Sequence, residues 1–125
     1  MIEMIYRWLL EEGLKEFSDI IDDLELIRTS SGVPVKVRVM MIDNSFLEIY
    51  WSESGKYSLH YERRHIDGTI YRHDNAPHHK QIKTFPKHYH KGREDFVVES
   101  YLPDEPIEAV RAFLKEIREI IKLSS

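Results

Sequence analysis

The sequence predicts an α+β fold: an antiparallel β-meander sheet of about four to five strands with N-terminal and C-terminal helices on one face. Three observations predict it. Apolar residues alternate with period two through the middle of the chain. Both ends instead space their apolar residues for helix. Short turns such as Asp43-Asn44-Ser45, Ser54-Gly55 and Asp67-Gly68 join the alternating runs. Successive strands therefore pair antiparallel.

The elements follow in order. Ile2, Ile5, Leu9 and Leu10 recur at helical spacing among Glu3, Arg7, Glu11 and Glu12. Gly13 reads as the C-cap of that helix. Leu14, Phe17, Ile20 and Ile21 make a second short helical piece after a bend, or the end of one kinked helix. Leu24 to Thr29 reads as an edge strand, and Thr29-Ser30-Ser31-Gly32 as a turn. Val33, Val35, Val37, Val39 and Met41 then face one way, and Lys36, Arg38 and Met40 the other. Phe46 to Ser52 is the next strand. In the one after it, Tyr57, Leu59, Tyr61, Arg63 and His65 oppose Ser58, His60, Glu62 and Arg64. Asp67-Gly68 is a hairpin signal, and Thr69 to His73 is the return strand. A long histidine-rich loop follows, in which Pro77 and Pro86 block regular pairing. Phe96-Val97-Val98 reads as a short extra strand. Pro103 and Pro106 bracket a helix start with Asp104 as N-cap. Ile107, Val110, Phe113, Leu114, Ile117, Ile120 and Ile121 give that helix one apolar stripe.

Bulk properties narrow the class. The chain of 125 residues, 42% hydrophobic and 32% charged, fits one ordered domain. The absence of cysteine excludes disulfides, thiolate metal sites and a cysteine nucleophile, and makes a cytoplasmic address the default. The N-terminal Met-Ile-Glu-Met-Ile-Tyr-Arg lacks the basic stretch of a secretory signal. No apolar run approaches the ~20 residues of a membrane span.

Charge is divided. Five of the seven histidines, His73, His78, His79, His88 and His90, lie between Tyr71 and Gly92, with His60 and His65 just upstream. From His60 to Arg93 the formal charge is +5, while the remainder carries −9. Imidazole is the side chain best suited to moving protons near neutral pH, and lysine and arginine bind phosphate oxygens. That combination suits metal-free RNA cleavage. One base removes the 2′-hydroxyl proton, one acid protonates the 5′-oxygen, and a cation steadies the phosphate. His78, His79, His88 and His90, with His60 behind them, are the candidate acids and bases. Arg64, Arg72, Asn75, Lys83, Lys87 and Lys91 are candidate nucleic-acid contacts, and Tyr89 a stacking platform. No cofactor is expected.

Two other readings use the same residues. Asp74, His78, His88 and His90 could close a metal site for a hydrolase or nuclease. A non-catalytic RNA- or protein-binding module needs only the basic surface. Bland roles compete at single positions. His60 suits a hydrogen-bonded sheet position and His65 a solvated hairpin. His73 suits a turn cap, Phe85-Pro86 a loop anchor, and Trp8 and Trp51 the core or a partner contact.

Asp74-Asn75-Ala76-Pro77-His78-His79, followed by Thr84-Phe85-Pro86-Lys87-His88-Tyr89-His90, resembles the TumE family of toxin–antitoxin toxins. Leu59-His60-Tyr61 before a hairpin and the Asp43-Asn44-Ser45 turn extend the likeness from about Val33 to the last helix. Lys87 and His73 depart from it, standing where the family often has histidine and tyrosine. The resemblance implies a small cytoplasmic toxin that acts on RNA. Its partner would be an antitoxin, usually a helix-turn-helix protein, and a homodimer is left open.

Overall fold

The computed structural model describes residues 1–124. Helix α1 spans Ile2–Trp8, a π-helical turn spans Leu9–Gly13, and α2 spans Leu14–Glu16. Gly13 is not a C-cap. It holds right-handed helical dihedrals, φ −60° and ψ −43°, and the helix runs through it. A Cβ there would meet Leu9 Cδ2 at 2.9 Å and the Trp8 ring at 3.3 Å, so close packing against neighbouring side chains favours glycine. The wide turn puts Leu9, Gly13 and Phe17 inward at steps of four and leaves Leu10 exposed.

Seven strands follow in one sheet: β1 Ile21–Arg28, β2 Pro34–Met41, β3 Phe46–Trp51, β4 Tyr57–Arg63, β5 Thr69–Asp74, β6 His88–Gly92 and β7 Val97–Glu99. Their spatial order is their chain order, and each pairs antiparallel with the next. The sequence-based expectation of four to five strands is too low. Both prolines of the histidine-rich segment fall in an excursion, residues 75–87, and neither enters a strand. The chain resumes pairing two residues beyond Pro86, with Asp74 opposite His88 and His73 opposite Tyr89. A strand of His, Tyr, Lys and Gly carries little of the β-branched signal that marks β2, which is why it read as loop.

The β4–β5 connection also differs from the expected tight hairpin. Arg64–Asp67 form a single helical turn, α3, closed by Gly68 at φ 81°, a left-handed position that suits glycine. Arg63 donates to Asp67 Oδ2 at 3.0 Å, to Asp43 Oδ2 at 2.7 Å and to the Tyr61 hydroxyl at 2.8 Å. That buried guanidinium ties the β3 turn to the end of β4. Helix α4, Pro106–Ser124, closes the chain. The Glu105 carboxylate, rather than Asp104, accepts the Glu108 N–H at its start.

Period two gives the sheet two unlike faces. Val37, Val39, Leu47, Ile49, Leu59 and Tyr61 pack in one core with Ile5, Leu9 and Phe17 and with Val110, Phe113, Leu114 and Ile117 of α4. Arg111 on Glu16 and Arg118 on Asp19, both at 2.8 Å, fasten α4 to the N-terminal segment. The opposite face carries the row Arg38, Glu48, His60, Arg72 and His90, matched across β2 to β6. Phe113→Ala is expected to lower the unfolding free energy by about 3–5 kcal/mol in a urea titration. Tyr101→Ala, at a side chain 77% exposed, should stay within about 0.5 kcal/mol of the native protein.

Candidate active site

His88 and His90 sit two apart on β6 and therefore share the face away from the helices. Asp74, at the end of β5 and directly opposite His88, shares it too. The excursion returns His79 over them. Its ring lies 4.6 Å from that of His88 and 5.6 Å from that of His90, centroid to centroid, and the His88–His90 separation is 5.0 Å. One donor atom from each of the three imidazoles lies within 4.8 Å of the others.

Backbone carbonyls orient the two strand histidines. His90 Nδ1 lies 2.8 Å from the Glu94 carbonyl and His88 Nδ1 lies 3.1 Å from that of Pro86. A carbonyl only accepts, so each Nδ1 carries the hydrogen. Both Nε2 atoms then turn to Asp74, at 3.0 Å from His88 and 3.8 Å from His90. An imidazole lone pair cannot sit 3.0 Å from a carboxylate oxygen without a positive charge between them. A proton shared by the two groups, or a bound cation, meets that requirement. Asp74 is held in turn by Arg72 Nε at 3.1 Å and by the Ala76 N–H at 3.0 Å. His88 is 2% exposed and His90 5%, and burial pushes the His90 pKa below its ordinary 6.5.

The other predicted residues are placed differently. His78 is exposed on the excursion and is not part of the cluster; His79 takes the place it was expected to hold beside Asp74, His88 and His90. His60 Nε2 donates to the Glu62 carboxylate at 3.1 Å, and its Nδ1 accepts from Arg72 at 3.3 Å. It is joined to the cluster only through Arg72, which pairs with His60 on one side and His90 on the other. Tyr89 cannot stack on a base. It lies on the helix face, 6% exposed, with its ring 3.7 Å from His73 and its hydroxyl donating to Glu116. His73 is no turn cap. It packs edge-on to Phe113 and meets Ser100 Oγ at 2.8 Å. Asn75 spends its amide on backbone, accepting from Tyr57 N at 3.0 Å and donating to the Gly55 carbonyl at 2.8 Å.

The expected excess of free cations is also smaller. Arg72 forks onto Glu94 at 2.7 Å, Arg64 onto Glu62 at 2.7 Å, and Lys87 reaches the Leu102 carbonyl at 2.6 Å and Asp104 at 3.0 Å. Glu94 and Asp104 lie just past the window in which the +5 was counted, so the count hid them. Among the described residues, Lys80, Lys83 and Lys91 form no ion pair, and Lys91 alternates onto the helix face. Nothing in composition marked the Pro86 and Glu94 carbonyls, since any residue supplies one. Cavities of about 580 and 430 Å³ lie elsewhere. The smaller, lined by Tyr50, Tyr57, Ser58, Asn75 and Pro77, adjoins the cluster through Ser58, which is paired opposite Asp74.

The polar face carries its own pH dependence. Hydrogen bonding from Arg64, against the cost of burial, holds the Glu62 carboxyl at about 2, below its ordinary 4.5. A depressed carboxyl stabilises the fold above its unfolded value, and that stability is lost as pH falls from 4.5 toward about 2. Glu62→Gln should flatten the urea midpoint against pH across that window and be less stable than the native chain above it.

The model of the family described as Toxin TumE matches residues 9–121. No curated protein and no solved structure matches the chain. Among the described residues, no helix is long and apolar enough to cross a membrane. The matched span holds all seven strands and every member of the imidazole–carboxylate cluster. The chain belongs to the TumE toxin family, and membership implies an antitoxin partner.

Proposed function

We propose that this toxin cleaves RNA at the Asp74–His79–His88–His90 cluster, by proton transfer and with no metal ion taking part. One observation carries the reading: two buried imidazoles on one strand have their Nδ1 hydrogens committed to backbone carbonyls, so both Nε2 atoms face a shared point. Their environments differ. His90, kept neutral by burial, has a free Nε2 lone pair and suits the base that removes the 2′-hydroxyl proton. His88, between a carbonyl and a carboxylate, suits the acid that delivers a proton to the 5′-oxygen. The 2′-oxygen attacks phosphorus, the P–O5′ bond breaks, and a 2′,3′-cyclic phosphate remains. Cations for the phosphate come from the excursion, where Lys80 and Lys83 are exposed beside His78. A base flanking the scissile phosphate has room in the cavity lined by Tyr50, Ser58 and Pro77.

Burial sets a condition on this reading. His79 covers His88 and His90, so RNA enters only when residues 75–87 swing outward. Much of the acidic remainder of the chain lies in residues 11–25, which hold seven acids against Lys15 and lead into β1, at the edge of the sheet remote from the cluster. These suit a basic segment of the antitoxin, which we take to be a helix-turn-helix protein, with both acting in the cytoplasm.

Tag-free protein in EDTA should cut a generic single-stranded RNA and leave cyclic phosphate ends. His88→Asn and His90→Asn, checked for native circular dichroism, should each lose about 10²–10⁴-fold in rate. His78→Ala should stay within roughly tenfold, because its ring stands outside the cluster. Full activity in both folded cluster variants removes the reading. Salt-sensitive RNA binding without products replaces it with a binding module.

A further inference from the structure

We infer that His79, His88, His90 and Asp74 bind one zinc-class divalent ion, and that this ion locks the excursion shut over the sheet. The donor set is three imidazoles and one carboxylate, the composition zinc takes in four-coordinate sites. Three of the four come from paired strands, where neighbouring residues cannot drift apart. Their outer atoms are already held as metal ligands require. The Pro86 and Glu94 carbonyls take the Nδ1 hydrogens of His88 and His90, and Arg72 and the Ala76 N–H hold the carboxylate. The fourth, His79, arrives from the excursion, so it alone must move to complete the set.

The spacing is close to sufficient. Donors around a tetrahedral zinc lie about 3.3 Å apart, and the three imidazole donors here lie within 4.8 Å of one another. A rotation of the His79 ring with a small shift of its backbone closes the difference. The ion would then sit between His88 Nε2 and Asp74, which lie 3.0 Å apart.

Four protein ligands leave no position for water or substrate, which distinguishes a closed site from a catalytic one. Binding also uses the Nε2 lone pairs and pins the segment that RNA must displace. The ion is therefore a brake on the site. That consequence rests on the RNA-cleavage reading, while the binding itself does not.

The test uses full-length, tag-free protein stripped with EDTA and then dialysed, with zinc chloride as the probe. Competition against a chromophoric chelator should give one ion per chain. Zinc should slow tryptic cutting after Lys80 and Lys83, both exposed on the excursion. His79→Ala removes a half-exposed loop side chain, so it should fold and melt like the native chain without metal. It should bind zinc at least about tenfold more weakly and lose the protection from trypsin. His78→Ala should behave as native in both assays. Absence of zinc binding by the native chain, or equal binding and protection in His79→Ala, overturns the site. RNA cleavage that rises with added zinc overturns the closed assignment. A chain that binds zinc as described but cuts no RNA with or without it keeps this site and removes the cleavage reading.

Discussion

Antiparallel pairing of β5 with β6 is the constraint on which the rest depends. It sets Asp74 opposite His88 and His73 opposite Tyr89. Because side chains alternate, one register sends the first pair to the open face and the second under α4. A slip of β6 by one residue would turn His88 and His90 toward Phe113, away from Asp74, and expose the Tyr89 ring. The register is held from both sides. Beneath the sheet, Tyr89 donates to Glu116 while its ring stacks on His73, and Phe113 closes the group. Above it, the Asp74 carboxylate lies 3.0 Å from His88 Nε2 and 3.8 Å from His90 Nε2.

Sidedness also explains why the polar face stays ordered without a helix over it. Its charges answer one another: Arg38 on Glu48 across strands, Arg72 on Glu94 beyond β6, and Arg64 on Glu62 and Arg72 on Asp74 two residues apart along the chain. Pairs at partly exposed positions contribute little stability singly. Their larger effect is positional. The Arg72 fork reaches from β5 to Glu94 beyond β6, and Glu94 is also the residue whose carbonyl orients His90. The same arginine that looked like a phosphate ligand is thus engaged in holding the histidine cluster in place. The cluster built this way is compact, with His88 and His90 buried and His79 of the excursion packed against them.

Much of the architecture was legible because it follows from repeating patterns. Val37, Val39, Leu47, Ile49, Leu59 and Tyr61 announce their face by alternation, and Val110, Phe113, Leu114 and Ile117 by helical spacing. The histidine-rich segment stood out by composition, and the placement of His88 and His90 on one side was legible from their spacing. The Asp-Asn-Ala-Pro-His-His and Thr-Phe-Pro stretches carried the family. These signals are local: each needs only the order of neighbouring residues.

What the order of residues by itself determined, then, is an α+β meander with terminal helices, a segment rich in proton carriers, and the kinship of the chain. Tertiary structure alone decided that His79 and not His78 joins the strand histidines, since both are adjacent on an irregular segment with no period to place them. It decided that Tyr89 belongs to the core and that Arg72 and Lys87 are already engaged, because Glu94, Asp104 and the Leu102 carbonyl are brought to them by strand register and chain return. It also decided how many strands there are, since β6 owes its pairing to β5 more than to its own composition. Contacts between residues far apart in the chain are closed by packing, and no local pattern encodes them.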